Sequence, residues 1–317
     1  MPDLQGEQLE WLLSPAGLDH FHIIAKWPDA FNETRRMANI VRRAELYWVA
    51  PNMAKLAVTA GARLEDFPLR AIDIPAAFGM MYFQIPITDL IDTPDIALAP
   101  IRVVTWKVMD TRVRIQLWTN SADWLESATV AGEVPGTKTR ETLRKVLGPM
   151  VLQHEGYLGF DEPILFDPKN HELPLTKYPD KDGRERATRQ MESAYRSVLA
   201  AWLLMQDTII AEYDDQATPR KAAKRWMRAG LELPKKIRVI ELRKHETVGA
   251  PKPGSGEPGR SRYADYRDWV GGFWRKQWYP SEGRHKPKYI ADFLKGPEWA
   301  PIRSEQGEVP TVHTLKR

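Results

Sequence analysis

The chain has 317 residues, 43% apolar and 28% charged, the balance of a soluble globular protein with room for two domains. It contains no cysteine, which excludes disulfides, thiolate chemistry and Cys-based zinc sites and fits a reducing, cytoplasmic setting. The net charge of +4 hides an asymmetry: residues 217–317 hold 23 Lys/Arg against 11 Asp/Glu, so the rest of the chain is acidic. No stretch approaches the roughly eighteen apolar residues of a membrane span. Met1-Pro-Asp-Leu-Gln-Gly-Glu7 lacks the basic start and apolar run of a signal peptide. Twelve tryptophans imply a core built largely from big rings.

In chain order, Asn32 is placed to cap a helix whose buried stripe is Met37, Ile40, Val41, Ala44 and Tyr47, at helical spacing. Pro51-Asn52 breaks it, and a shorter helix from about Met53 to Ala60 ends at Gly61. Met80–Ile85 reads as a strand. Ile101–Val108 and Arg112–Trp118 flank the turn Met109-Asp-Thr111 as a hairpin. In its second strand Val113, Ile115 and Leu117 alternate with Arg112, Arg114 and Gln116, which predicts one buried and one wet face. A short helix spans Thr139–Leu147, and Gly156–Gly183, rich in Pro, Asp and Lys, reads as a long loop. A strong helix follows, with Met191, Ala194, Tyr195, Val198, Leu199, Trp202 and Met205 on one stripe. Ile237–Arg243 is strand-like. Gly249–Gly259, with its repeated Gly and Pro, reads as a mobile loop before a second strand-like run, Trp269–Ser281.

Two stretches carry functional signals. Thr218-Pro219 caps a helix, Gly230 stops it, and Arg220, Lys221, Lys224, Arg225 and Arg228 fall within an arc of about 140° at about 100° per residue. With Lys235 and Lys236 beyond the stop, they form a patch suited to a polyanion, because each phosphate neutralised strengthens binding. The same face suits simple solvation, docking on the acidic body, or a membrane surface. In the aromatic run, alternation separates Val270, Trp274 and Trp278 from Trp269, Phe273 and Tyr279, so both faces carry rings. Buried on both sides they are core; exposed, they make a stacking platform with Arg275, Lys276, Lys286 and Lys288. Core is the favoured reading for most of them, and Gly271-Gly272 marks a bulge or a close backbone approach.

Catalytic signatures are missing. Of the histidines only His20 and His22 are closely spaced, without the converging ligands of a metal site. No nucleophile elbow, phosphate loop or dinucleotide fingerprint occurs, so neither metal nor cofactor is expected.

The motifs Arg238-Val-Ile-Glu-Leu-Arg243, Val270–Arg275, Gln277-Trp-Tyr-Pro-Ser281, His285-Lys-Pro287, Ile290 and Lys295-Gly-Pro297 resemble a family of uncharacterised proteins from actinobacteria and their phages and plasmids. The upstream Asp73-Ile-Pro-Ala-Ala-Phe-Gly79 is similar, though less specifically. The family usually has Gly-His before the Trp-Arg pair, where this chain has Gly272-Phe273, so no role is carried over to that position. The resemblance implies a mobile-element context and no known activity.

The expected fold is α+β: a mixed helix and hairpin body over residues 1–183, a helical segment over 184–230 with two consecutive helices, and a basic antiparallel β-module over 231–317 with a mobile loop at 249–262. The leading function is non-enzymatic nucleic-acid binding, to DNA or RNA, with the basic helix, Lys235 and Lys236 on phosphates and Arg275, Lys276, Lys286 and Lys288 extending the path. The alternatives are a module that recruits or inhibits a host protein, and a nuclease- or toxin-like enzyme, which would need clustered carboxylates. Asp161, Glu162 and Asp167 lie in the loop-like stretch and read as solvated. Docking of the basic helix on acidic residues of the body favours the interaction module.

Overall fold

Seven segments, most of them rich in Val, Ile, Leu, Met and aromatic residues, have the composition of strands covered on both faces. They are Glu45–Val49 (β1), Phe78–Phe83 (β2), Ile101–Val108 (β3), Arg112–Asn120 (β4), Met150–Gly159 (β5), Ala211–Ala217 (β6) and Lys236–Leu242 (β7). In the computed structural model they form one sheet in the order β5-β4-β3-β2-β1-β7-β6. The structure describes residues 2–19, 29–90, 100–130, 142–143, 146–161, 181–228, 236–242 and 268–295. Strand β1 runs parallel to both of its neighbours, β2 and β7, whereas β2 to β5 form an antiparallel meander. Parallel neighbours need a crossover, and the helix Pro51–Gly61 supplies the one from β1 to β2.

The helices are Pro2–Leu12 (α1), Pro15–Asp19 (α2), Ala30–Arg43 (α3), Pro51–Gly61 (α4), Ser121–Val130 (α5), Lys181–Met205 (α6) and Arg220–Arg228 (α7). On one face of the sheet, Leu9 and Trp11 of α1, Met37 and Val41 of α3, and Trp226 of α7 share a core with Leu46, Met80, Trp118 and Ile237. On the other, Trp202 of α6 lies 5.1 Å from Trp106 of β3, which in turn stacks on Tyr47 of β1 at 5.6 Å. Trp106, Trp118, Trp202 and Trp226 are all fully buried, so the tryptophans do build the core. The fold is α+β, and among the described residues no helix is long and apolar enough to cross a membrane.

Several local expectations change. The stripe through Met37, Ile40, Val41 and Ala44 is buried, but α3 stops at Arg43, Ala44 is extended, and Tyr47 belongs to β1. Pairing with β2 and β7 on its two sides outweighs the local helical spacing there. The polar face of the Arg112–Trp118 strand is wet only at Arg112: Gln116 is fully buried and Arg114 is 7% exposed, because helices cover both sides of the sheet there. The stretch taken as a loop from Gly156 begins inside β5 and ends inside α6, with residues 162–180 outside the described set. A strand, β6, lies between the two helices α6 and α7. Strand β7, expected in a C-terminal module, pairs in parallel with β1 in the main sheet. The helix expected over Thr139–Leu147 lies largely, and the loop at 249–262 wholly, outside the described residues.

The chain divides into two compact units, Met1–Glu241 and Leu242–Arg317. In the second, Phe273–Tyr279 (β9) pairs antiparallel with Arg284–Ile290 (β10), and Asp268–Val270 (β8) with Phe293–Lys295 (β11). Gly271-Gly272 does mark a close approach, since a Cβ on Gly272 would stand 2.0 Å from the Tyr289 hydroxyl.

Candidate functional site

Helix α7 has one narrow apolar stripe, Ala222 and Trp226, and both are buried. The Trp226 ring lies on α1 at Gly6, where a Cβ would come within 2.6 Å of it, so only glycine permits this approach. Helix α1 is itself pinned to the body. Gln5 Nε2 donates to the Val41 carbonyl at 2.7 Å, and Met150 N–H donates to Gln8 Oε1 at 2.9 Å, both buried.

This docking sets Asp3, Glu7 and Glu10 of α1 opposite the basic face of α7. Arg225 bridges the two walls, donating to Glu7 at 2.7 Å and Glu10 at 3.2 Å. Those carboxylates hold the guanidinium more firmly protonated than usual, the Glu7 hydrogen bond contributing most. Between the helices lies an open cleft of about 850 Å³, lined by Asp3, Glu7 and Glu10 on one side and Lys221, Lys224, Arg225 and Arg228 on the other. Arg220, Lys221, Lys224 and Arg228 are all exposed, and so is Met227, at 76%. The basic helix therefore docks on acidic residues through one arginine and leaves its other cations facing solvent.

The remaining site candidates belong to the main sheet and to the C-terminal hairpin. Lys235 lies outside the described residues. Lys236 begins β7, beside the edge strand β6, and lies 3.2 Å from its Asp215, which Arg238 also binds at 3.1 Å. Hydrogen bonds from Arg238 and then Lys236 hold the Asp215 carboxyl below the usual range. In the β9–β10 hairpin, Arg275 pairs across with Lys288 and shares a face with Lys286, whereas Lys276 faces the opposite way with Trp274 and Trp278. Arg275 donates to Gln277 at 2.6 Å. Lys286 is 8% exposed, with Nζ 5.6 Å from the Tyr279 ring centre and 3.9 Å from Glu282. Tyr289 is buried against Trp274 at 5.2 Å, whereas Trp278 and Phe273 are 47% and 40% exposed. The rings thus divide between packing and surface.

The sequence reading omits one polar network entirely. Trp118 Nε1 donates to Thr105 (2.9 Å), Thr105 to Gln116 Oε1 (3.0 Å), and Gln116 Nε2 to Glu155 (2.8 Å). Arg114 closes it, donating to Glu155 at 2.6 Å and to Glu33 of α3 at 2.8 Å. Burial alone would lower the Arg114 pKa, but the charges and hydrogen bonds of Glu155 and Glu33 outweigh it and raise it. On the far face of the sheet the Tyr195 hydroxyl lies 2.8 Å from His154 Nδ1, and burial pushes its pKa well up. The acidic wall of the cleft did have a signal in the sequence. Asp3, Glu7 and Glu10 recur at the spacing of one helix face.

Neither a protein-family model nor a curated protein matches the chain. A solved structure described as "Crystal structure of AcrVA2" aligns over 93% of this chain and 93% of its own, at 11% identity and a TM-score of 0.36. Those values are too low to transfer a role.

Proposed function

We propose that this chain is a protein-binding protein of a phage, plasmid or other mobile element, and that it takes a segment of a polypeptide partner in the cleft between α1 and α7. The observation that supports this is the mixed charge of the cleft. A strand of nucleic acid is uniformly negative, so what it gains along Lys221, Lys224 and Arg228 it loses against Asp3, Glu7 and Glu10. A polypeptide carries both signs and can match both walls in register, which favours the right partner and penalises wrong ones. Met227, exposed beside these cations, offers an adaptable apolar contact of the kind enriched at interfaces. The mobile-element setting rests on the C-terminal motif resemblance.

The test uses the full chain as bait in extract of an actinobacterial host, with and without nuclease treatment, beside the triple variant Lys221→Glu, Lys224→Glu, Arg228→Glu. The expected result is a polypeptide that the parent chain retains and the variant loses. Retention that disappears with nuclease treatment, or that the variant leaves unchanged, overturns the reading and returns these cations to phosphate binding.

A further inference from the structure

A cross-strand row lies on the α3 side of the sheet. Phe78 of β2 faces Lys107 of β3, Lys107 faces Arg114 of β4, and Arg114 faces Tyr157 of β5. With neighbouring strands about 4.8 Å apart, the row is about 14 Å long. Rings stand at its two ends, and each carries a guanidinium. Arg43 of α3 lies over Phe78 at 3.9 Å, and Arg112, two residues before Arg114, lies over Tyr157 at 4.4 Å. Lys107 also approaches the Phe78 ring, at 5.9 Å.

The charges in this row are not equally engaged. Arg114 is committed to Glu33 and Glu155, and Arg36 to Glu33. Among the described residues, Arg43, Lys107 and Arg112 have no carboxylate within ion-pair distance. A guanidinium stacked on a ring keeps its N–H donors at the edge and its outer plane open, so it can take a phosphate oxygen and lie under a base at once. Arg43 and Arg112 are exposed and Lys107 half-exposed.

The geometry points to a second binding surface, for single-stranded nucleic acid, in which Arg43, Lys107 and Arg112 take successive phosphates. Arg43 on Phe78 and Arg112 on Tyr157 provide the stacking ends. The 14 Å row (about three strand spacings) suits a few nucleotides of an extended strand rather than a duplex face. This surface uses α3 and β2–β5, so it stands or falls independently of the α1–α7 cleft.

The experiment measures binding of a fluorescently labelled oligo-dT to the full chain across a salt series. With three phosphates engaged, log K is expected to fall against log salt with a slope of about −2, at about −0.7 per phosphate. Arg43→Gln and Arg112→Gln should each weaken binding several-fold and flatten the slope by about 0.7, whereas Arg112→Lys keeps the slope. Lys55→Gln, an exposed cation on α4 outside both surfaces, should leave both quantities unchanged. Unfolding midpoints confirm that the variants fold. The proposal is overturned by no binding at low salt, by slopes indifferent to Arg43 and Arg112, by an equal loss in Lys55→Gln, or by equal affinity for a duplex of the same length.

Discussion

Helices α7 and α3 are both studded with cations, yet the two put them to opposite uses. On α7 the basic face shares its groove with Asp3, Glu7 and Glu10, and Arg225 is bound to two of them. On α3, Arg43 rests on the Phe78 ring, and Arg36 is the residue committed to a carboxylate, Glu33. A count of charges ranks α7 first because its five cations are contiguous. In the proposals above the ranking reverses for a polyanion. The acidic wall beside α7 subtracts from a phosphate site. In the α3 row, Glu33 and Glu155 are already held by Arg36 and Arg114, and the rings add to the site. What decides the partner of a basic helix is the chemistry of the surface it lies against.

The contrast depends first on α7 being held where it is. Trp226 is the anchor, buried to 1% against Gly6. Trp226→Ala should cost about 3–5 kcal/mol, the range for emptying a large aromatic site, read as a lowered urea midpoint. Trp226→Phe should cost much less, since it keeps a ring in the slot and removes an indole N–H that has no hydrogen-bond partner among the described residues. If Trp226→Ala is nearly neutral, α7 is not anchored by α1, and the mixed-charge cleft loses its basis.

The α3 side is held by a polar contact instead. Arg114→Leu removes the cation between Glu33 and Glu155, leaving Glu33 with Arg36 and Glu155 with Gln116 and Tyr157. Each carboxylate is about 20% exposed, so the loss should be about 2–3 kcal/mol, below the range for a fully buried pair because water still reaches them. Arg112→Leu, a surface change one pleat away, should cost under about 1 kcal/mol. Equal losses from the two substitutions would show that the network carries no special weight and that α3 is held by its apolar stripe alone.

Why the α7 face was legible and the contacts under α3 were not follows from range. The α7 helix and its charge arc are local, as is the β3–β4 turn, and they emerge from spacing alone, whereas the expected stop at Gly230 lies outside the described residues. The Arg114 contacts are not local, since Glu33 and Glu155 lie 81 and 41 residues away. Alternation therefore assigns Arg114 to water when helix α3 in fact covers it. Ala44 and Tyr47 continue the helical spacing of α3 by coincidence, and only the two parallel neighbours of β1 reveal the strand. Strand β7 is read as part of the C-terminal module because its partner β1 lies almost two hundred residues upstream. The Phe78 ring under Arg43 leaves no periodic trace, because its two members belong to different elements.

The smallest expected effect tests the electrostatic half of the comparison by itself. Arg225 and its partners Glu7 and Glu10 are each about two-fifths exposed, so water and salt screen them, and the geometry needs two long side chains held in place. Arg225→Ala should therefore lower stability by no more than about 1 kcal/mol at low salt, a difference that fades by about 1 M salt. A double-mutant cycle with Glu7→Gln isolates the pair from the packing of the arginine stem. A loss that persists undiminished at high salt would mean that the stem packs on α1 as Trp226 does, and that charge has little part in setting the helix there. A loss that vanishes with salt would leave Trp226 as the hinge of the docking and the charges as what a partner reads.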